Sequence, residues 1–492
     1  QAGPVEMTLR PGRWDRWRRL LPLLASLSLA ACSVGPDYHR PTADIPPDWG
    51  WKRAEPADSA VKGNWWELFH DPVLNSLETE AETANQNLKA AVARVDKSRA
   101  DARLSASKFF PDISFDPSLV RFRTPPSAVP PEFTATDSTV AVDLSYEIDV
   151  WGKVRRSFES AGDQAQADVA AYYNVLLTLH GDVAVDYFLL RQLDRQVSLL
   201  NQTADLRQKA VELTTDRFKV GLAPEADLER AQTDYSETRA DASEAQRQRD
   251  QLQDSLAVLC GQPTPDFHIA PELTSAPLPE VPLGLPSSLL ERRPDVAEAE
   301  RKMAAANAKI GVAYAAFFPA ISLTGQAGYS TLQAGSLLNW ESRLFEIGPE
   351  VALPIFNGGL NEAQLRDARA NYNETCANYR QQVLDAFRDV SDAVIDLNLY
   401  GEQAHSLTDA VHTAQETTSA SRQSYQEGLV NFLEVVTAEQ TELRTEIRLI
   451  QVEALQRVST VRLIKALGGG YEASTPNGNA NAATPPPSPA PK

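Results

Sequence analysis

The sequence predicts a mainly helical chain with a small β component, exported and built twice over on one plan. Three observations predict this. A secretory leader ends at a cysteine, motifs return at a fixed spacing, and apolar residues alternate in short runs but recur in threes and fours in long ones. The chain has 492 residues, 42% hydrophobic and 23% charged, with a net charge of -19. That charge argues against nucleic acid as a partner, because a phosphate backbone needs a basic footprint. The regular apolar spacing excludes an acidic disordered chain.

Residues 1–31 read as a leader and signal peptide. Arg10, Arg13, Arg16, Arg18 and Arg19 precede an apolar run over 20–31, too short to cross a bilayer as a helix, which takes ~20 residues. The run ends Leu29-Ala30-Ala31-Cys32. This resembles the lipobox of bacterial lipoproteins, which implies covalent lipid on Cys32 and no other cofactor. Ser33 in place of an Asp implies sorting to the outer membrane. Acyl chains anchor by burying methylenes at ~0.8 kcal/mol each. Residues 32–63 read as an extended lead-in from the lipid. The other cysteines, Cys260 and Cys376, hold no equivalent places and read as ordinary helix-surface or core residues, with a disulfide between them in an oxidising periplasm as the alternative.

Repeats come next. "KFFPDIS" at 108–114 returns as "AFFPAIS" at 316–322, and "FKVGLAPEADLERAQ" at 218–232 as "YQEGLVNFLEVVTAE" at 425–439. "LCGQ" at 259–262 returns as "LGGG" at 467–470, all at a shift of roughly 207 or 208 residues. The halves span 64–261 and 287–470, joined by a Pro-rich linker over 262–286. Each reads as a helix, two strands, a long helix, a turn and another long helix. The first helical stretch runs over 64–108, and Arg293-Pro294-Asp295 opens its counterpart, with Pro where no N–H is needed. The Asn-, Ala- and Pro-rich tail over 471–492 reads as disordered.

The strands alternate. Val140, Val142, Leu144, Tyr146, Ile148 and Val150 interleave with Asp143, Ser145, Glu147 and Asp149. Ile321, Leu323, Ala327 and Tyr329 alternate with Ser322, Thr324, Gln326 and Ser330, and Phe345, Ile347, Val351, Leu353 and Ile355 make a third run. A fourth, from Ile113, slips phase near Pro117. Alternation alone equally suits a soluble sheet with one wet face; the leader favours the membrane. In hydrocarbon a spanning sheet must close. Four strands cannot, since the smallest membrane barrels have about eight, so the chain must oligomerise. Two copies give eight strands and three give twelve, and the counting does not choose.

Residues 155–219 contain no Pro, and Leu176, Leu179, Val183, Tyr187, Leu190 and Leu193 recur at helical spacing. A helix of ~60 residues is ~90 Å long, far more than a bilayer needs. Partner helices follow over 224–259, 361–425 and 432–467. Each has one apolar stripe and must pack laterally.

From Cys32 to about Tyr471 the chain resembles the TolC-like outer-membrane efflux family, in its NodT-type lipoprotein branch. The residues that carry this are "CSVGPDYHRP" at 32–41, "LPSSLLERRPDVAEAE" at 285–300, "AAFFPAISLTGQAG" at 315–328 and "LPIFNGG" at 353–359. The resemblance implies a homotrimer, a twelve-stranded transmembrane β-barrel with four strands per chain, and a long periplasmic α-helical barrel. It implies a passive exit duct in a tripartite efflux pump, partnered by a periplasmic adaptor (membrane fusion) protein and an inner-membrane transporter of RND type. Metal efflux, type I protein secretion and a non-conducting structural lipoprotein stay open as alternatives.

In that family the helix–turn–helix tips meet the adaptor, which points to Val220, Gly221, Leu222, Gly428 and Leu429. Glycine suits such a turn because it accepts positive φ cheaply; turn glycines with no binding role are the alternative. Six residues past each glycine stands an acid, Asp227 and Glu434. In a symmetric assembly each forms a ring of like charge that attracts cations. Where the family often carries a second acid, this chain has Thr437, so a ring is expected at Glu434 rather than two. Solvated outer-face acids are the plainer reading. The six histidines are scattered, and no P-loop, dinucleotide fingerprint or G-x-S-x-G element appears, which argues against an enzyme.

Overall fold

The computed structural model describes residues 34–40, 63–125, 133–274, 277–279 and 293–469. The leader, Cys32, Ser33, the tail and most of the lead-in lie outside them. Seven α-helices are described: α1 Pro72–Ala84, α2 Gln86–Ser107, α3 Lys153–Lys219, α4 Glu225–Leu259, α5 Pro294–Ala315, α6 Leu360–Gln426 and α7 Phe432–Ala466. The strands are β1 Asp112–Phe115, β2 Ser118–Thr124, β3 Phe133–Glu147, β4 Ala320–Thr331 and β5 Arg343–Ala352. The halves share a broad order, though the first has α1 and α2 where the second has α5 alone. The first also has β1 and β2 along one side of β3 where the second has one strand, so five strands stand where four were expected. Each half ends with helices of 67 and then 35 residues. At ~1.5 Å per residue the longer pair run about 100 Å. None of the described helices is long and apolar enough to cross a membrane.

The chain forms two compact units, one of residues 1–42, 95–167 and 299–379, the other of 43–94, 168–298 and 380–492. Each draws on both sequence halves.

The first unit holds the sheet, an antiparallel meander in the order β1/β2, β3, β4, β5. β1 and β2 pair with β3 in one unbroken register, Phe115 opposite Val142 and Ser118 opposite Thr139. The irregularity at Pro117 is therefore no slip: proline removes a ladder N–H without shifting the pairing. β3 starts earlier and ends sooner than the alternation suggested. Past Glu147, Asp149 leaves the sheet to cap α3, its carboxylate accepting from the N–H groups of Val154 (3.1 Å) and Arg155 (2.9 Å). The Trp151 indole stacks on Phe318, centroids 4.7 Å apart, and donates to the Pro319 carbonyl at 2.8 Å. Residues 34–40 form neither helix nor strand and are pinned at every step. Val34 N–H donates to the Trp151 carbonyl at 3.1 Å, Asp37 pairs with Arg156 at 2.6 Å, and Tyr38 donates to Glu300 at 2.7 Å. Gly35 lies so close to Gly311 that a Cβ would stand 2.6 Å from its Cα.

The second unit carries the largest apolar core. Trp65, Trp66, Phe69, Leu74 and Leu77 pack among Leu179, Val183 and Tyr187 of α3, Leu256 of α4, and Val458, Val461 and Ile464 of α7. The single helix expected over 64–108 is broken. A 3-10 turn, Trp65–Phe69, ends at His70 in the left-handed region (φ 52°). Asp71 then caps α1 through the N–H groups of Val73 and Leu74, with Pro72 at its first position. Asn85 separates α1 from α2: its side chain accepts from Leu88 N–H at 3.0 Å and donates to the Leu259 carbonyl at 2.9 Å.

The start of the Pro-rich linker is docked, not loose. Phe267 and Ile269 are buried, and Arg191 and Arg249 donate to the carbonyls of Ala270 (2.8 Å) and Ile269 (2.6 Å). Asp194, wholly buried, neutralises both arginines at 2.8 Å and accepts from the Glu272 N–H. Also in this core, the Glu78 carboxyl meets His180 Nδ1 at 2.7 Å while the Trp66 ring stacks on the imidazole at 4.2 Å. Burial pushes Glu78 well above the carboxylate range, Glu82 adding to it, and lowers His180 to about 4. Both shifts describe a neutral pair sharing one proton.

Candidate functional site

The two hairpin turns named by the sequence end in one and the same backbone device. At the end of α3, Leu222 N–H reaches back to the Arg217 carbonyl (2.8 Å) and Gly221 N–H to Phe218 (2.9 Å). At the end of α6, Leu429 N–H reaches Ser424 (2.8 Å) and Gly428 N–H reaches Tyr425 (3.1 Å). Both are Schellman closures, which need a left-handed residue at the turn. Gly221 (φ 75°) and Gly428 (φ 78°) supply it.

These turns expose apolar side chains. Val220, Leu222 and Leu429 are 69%, 77% and 72% exposed, where a solvated loop would be polar. Behind them the hairpins lock together: Phe432 and Val436 of α7 pack on Ala231 of α4, Tyr425 lies 5.7 Å from Phe432, and Arg217 stacks over Tyr425 at 4.8 Å. Gln440 donates to Asp234 at 3.1 Å. The tips thus project from a packed base.

The acids occupy equivalent places, each the third residue of its helix. Glu434 N–H donates to the Asn431 side chain at 3.1 Å, and Asp227 N–H to the Pro224 carbonyl at 3.1 Å. Acids in a first turn are stabilised by the helix dipole, so their position has a local cause apart from any ring. Glu434 is exposed and Asp227 half-exposed in the single chain. Thr437 is exposed, and its hydroxyl donates to the Leu433 carbonyl at 2.8 Å. Asn431 was missed by sequence reasoning, although Asn-x-x-Glu ahead of an apolar run is a helix-start signature. The described residues hold no cluster fit to bind a metal ion. His405 and His412 are exposed and lie beside Asp409 and Glu416 on their own helix. Cys260 is buried, Cys376 half-buried, and both are free thiols.

On the sheet, strand register sorts the charges by face. Asp112, Asp137, Asp143, Glu147, Glu346 and Glu350 share one face with Ser114, Ser145, Ser322, Thr324 and Gln326. The other face carries Ile113, Phe115, Leu119, Val140, Val142, Leu144, Leu323, Phe345, Ile347 and Val351, with no acid. Val120, Phe122, Phe133 and Leu344 are the large apolar exceptions on the acidic face, at its loop end. The outer edges of β1/β2 and β5 have no partner strand among the described residues.

Relatives agree with this architecture. The outer membrane efflux protein family matches twice, over residues 77–262 and 285–469. The solvent efflux pump outer membrane protein SrpC of Pseudomonas putida is 32% identical over 463 residues, covering 92% of this chain and 98% of that protein. The cation efflux system protein CusC of Escherichia coli is 29% identical over 461 residues, covering 92% and 99%. Among solved structures, the CmeC outer membrane channel of Campylobacter jejuni superposes with a TM-score of 0.84 at 25% identity, covering 90% of this chain and 96% of that one. The outer-membrane channel OprN gives 0.82 at 28% identity, covering 89% and 99%. The chain therefore belongs to the outer membrane efflux protein family, whose members are channels and not enzymes.

Proposed function

We propose that this chain is one third of an exit duct for small toxic molecules, drugs among them, and that three copies close a twelve-stranded barrel. The observation that carries this is the sheet: two edges without a partner strand among the described residues, and one face without acids while the other holds every strand acid. A bare edge in hydrocarbon leaves N–H and C=O groups unpaired, so copies must join edge to edge. The acidic face then lines the lumen, and the lipid on Cys32 adds an anchor. The apolar tips at Val220, Leu222 and Leu429 suit a periplasmic adaptor that couples the duct to an inner-membrane transporter of RND type. Glu434 rings the closing end. The relatives' names span solvents, an antibiotic and cations, and the cargo is set by the pump.

Planar-bilayer recording tests this. Six lumen acids per chain predict a cation-selective reversal potential in a salt gradient, and Glu434→Ala raises single-channel conductance and weakens block by divalent cations. Purified protein that inserts and does not conduct would leave a structural lipoprotein instead; unchanged conductance and block in the variant would remove the gate role alone.

A further inference from the structure

The strand cations are sorted as strictly as the acids. β1 to β5 contain three basic residues, Arg121, Arg123 and Arg343. Arg121 pairs across from Thr136, Arg123 from Thr134, and Arg343 from Tyr329. These registers put all three on the apolar face, the face without acids. They also share one end. β1 follows α2, β3 leads to α3, β4 follows α5 and β5 leads to α6, so the opposite end is the loop end. Arg121 and Arg123 close β2 there, and Arg343 opens β5 there.

An arginine on a lipid-facing surface costs most at mid-bilayer and little near the interface. The three sit where that cost is least, beyond the band of Phe115, Val142, Leu144, Phe345 and Ile347. Beside them the loop over 332–342 is held by its own hydrogen bonds: the Ser342 hydroxyl donates to the Ser336 carbonyl at 2.8 Å, and Asn339 N–H to the same carbonyl at 3.0 Å. That loop presents Trp340, 69% exposed, under the Arg343 guanidinium at 3.1 Å. Arg343 Nε also donates to the Trp340 carbonyl at 2.6 Å. A tryptophan and a guanidinium together suit a headgroup layer, apolar on one side and charged on the other.

We propose that Arg121, Arg123, Arg343 and Trp340 form a collar that binds the phosphates of the glycolipid in the outer leaflet. Guanidinium groups recognise phosphate in a bidentate way. Arg121 and Arg123, two residues apart on one face, stand ~7 Å from each other, a spacing suited to a headgroup with more than one phosphate. Among the described strand residues, the acids all lie on the other face. The assignment rests on the barrel reading above, which makes this face the lipid-facing one.

Native mass spectrometry of the detergent-released protein tests it, with bisphosphorylated lipid A, dephosphorylated lipid A and phosphatidylglycerol as probes. Wild type is expected to retain the bisphosphorylated lipid at least tenfold better than either other probe. The triple variant Arg121→Gln, Arg123→Gln, Arg343→Gln loses that preference, and the triple Arg→Lys variant keeps part of it. Equal retention of the three lipids by wild type overturns the collar, and so does an undiminished preference in the glutamine variant. Bilayer conductance separates the two readings. Protein that forms no channel sinks the barrel itself, whereas a conducting variant with unchanged lipid preference sinks only the arginine assignment.

Discussion

Replacing Glu78 with Gln should reverse the direction in which pH destabilises the protein. In the folded chain Glu78 and His180 share one proton: burial lifts the carboxyl and lowers the imidazole to about 4. In the unfolded chain a histidine titrates near ~6.5 and a glutamate near ~4.3. Between those values both states hold one proton, and the pair leaves stability flat. Above about 6.5 the unfolded histidine releases its proton while Glu78 keeps its own. Stability then falls by up to ~1.4 kcal/mol per pH unit until Glu78 ionises. Below about 4.3 the unfolded pair takes up a second proton that the folded pair refuses until about 4. Stability falls there too. In Glu78→Gln the folded pair carries no proton at neutral pH, so the loss above 6.5 disappears and a loss on acidification from about 6.5 replaces it. The assay is the difference in thermal midpoint between wild type and variant in detergent at pH 5.5, 7 and 8.5, which cancels groups common to both. A difference that does not change across that range would refute the shared proton.

Two further expectations rest on different parts of the chain. Asp194→Ala strips two buried arginines of their shared buried counter-ion, leaving each only a more exposed carboxylate at 3.7 Å. It should cost about 3–5 kcal/mol, read as a lowered urea midpoint with earlier proteolysis of the segment after Phe267; a loss under about 1 kcal/mol would mean that those carboxylates or water replace it. Cys32→Ser should abolish acyl labelling, and labelling that persists would place the lipid elsewhere.

What was legible in the sequence follows from range. The long helices were plain because 155–219 has no proline and its apolar spacing never breaks; α3 ends at Lys219 as expected. The strands were plain because alternation is a local pattern, although their ends were not: Glu147 ends β3 because Asp149 is taken up by the next helix. The break at Asn85 stayed hidden, since the contact that fixes it, the Leu259 carbonyl, lies 174 residues away. The docked linker stayed hidden for the same reason. Arg191, Asp194 and Arg249 look like a solvated helix face until the chain folds back on them. At the tips, glycine announced the turn, whereas the acids at Asp227 and Glu434 fit both a ring and a helix start, and only the second is visible in one chain.

The duplicated tips are alike in backbone and unlike in chemistry, which bears on how an adaptor meets them. Where the first turn has Val220 ahead of its glycine, the second has Glu427. The first helix start is capped by Pro224, which offers no side-chain acceptor, and the second by Asn431, which does. Tip one therefore presents Val220 and Leu222, an apolar pair, and tip two presents Leu429 beside a carboxylate. In an assembly of several copies these alternate around the end of the duct. An adaptor surface that fits the apolar tip would bring an apolar side chain against Glu427 at the other, where the carboxylate favours a basic one. If the tips meet an adaptor as proposed, either it supplies two different contacts at alternate tips, or it engages only one tip of each pair. Substituting Glu427 and Val220 separately distinguishes the two, because equivalent tips would lose adaptor binding alike.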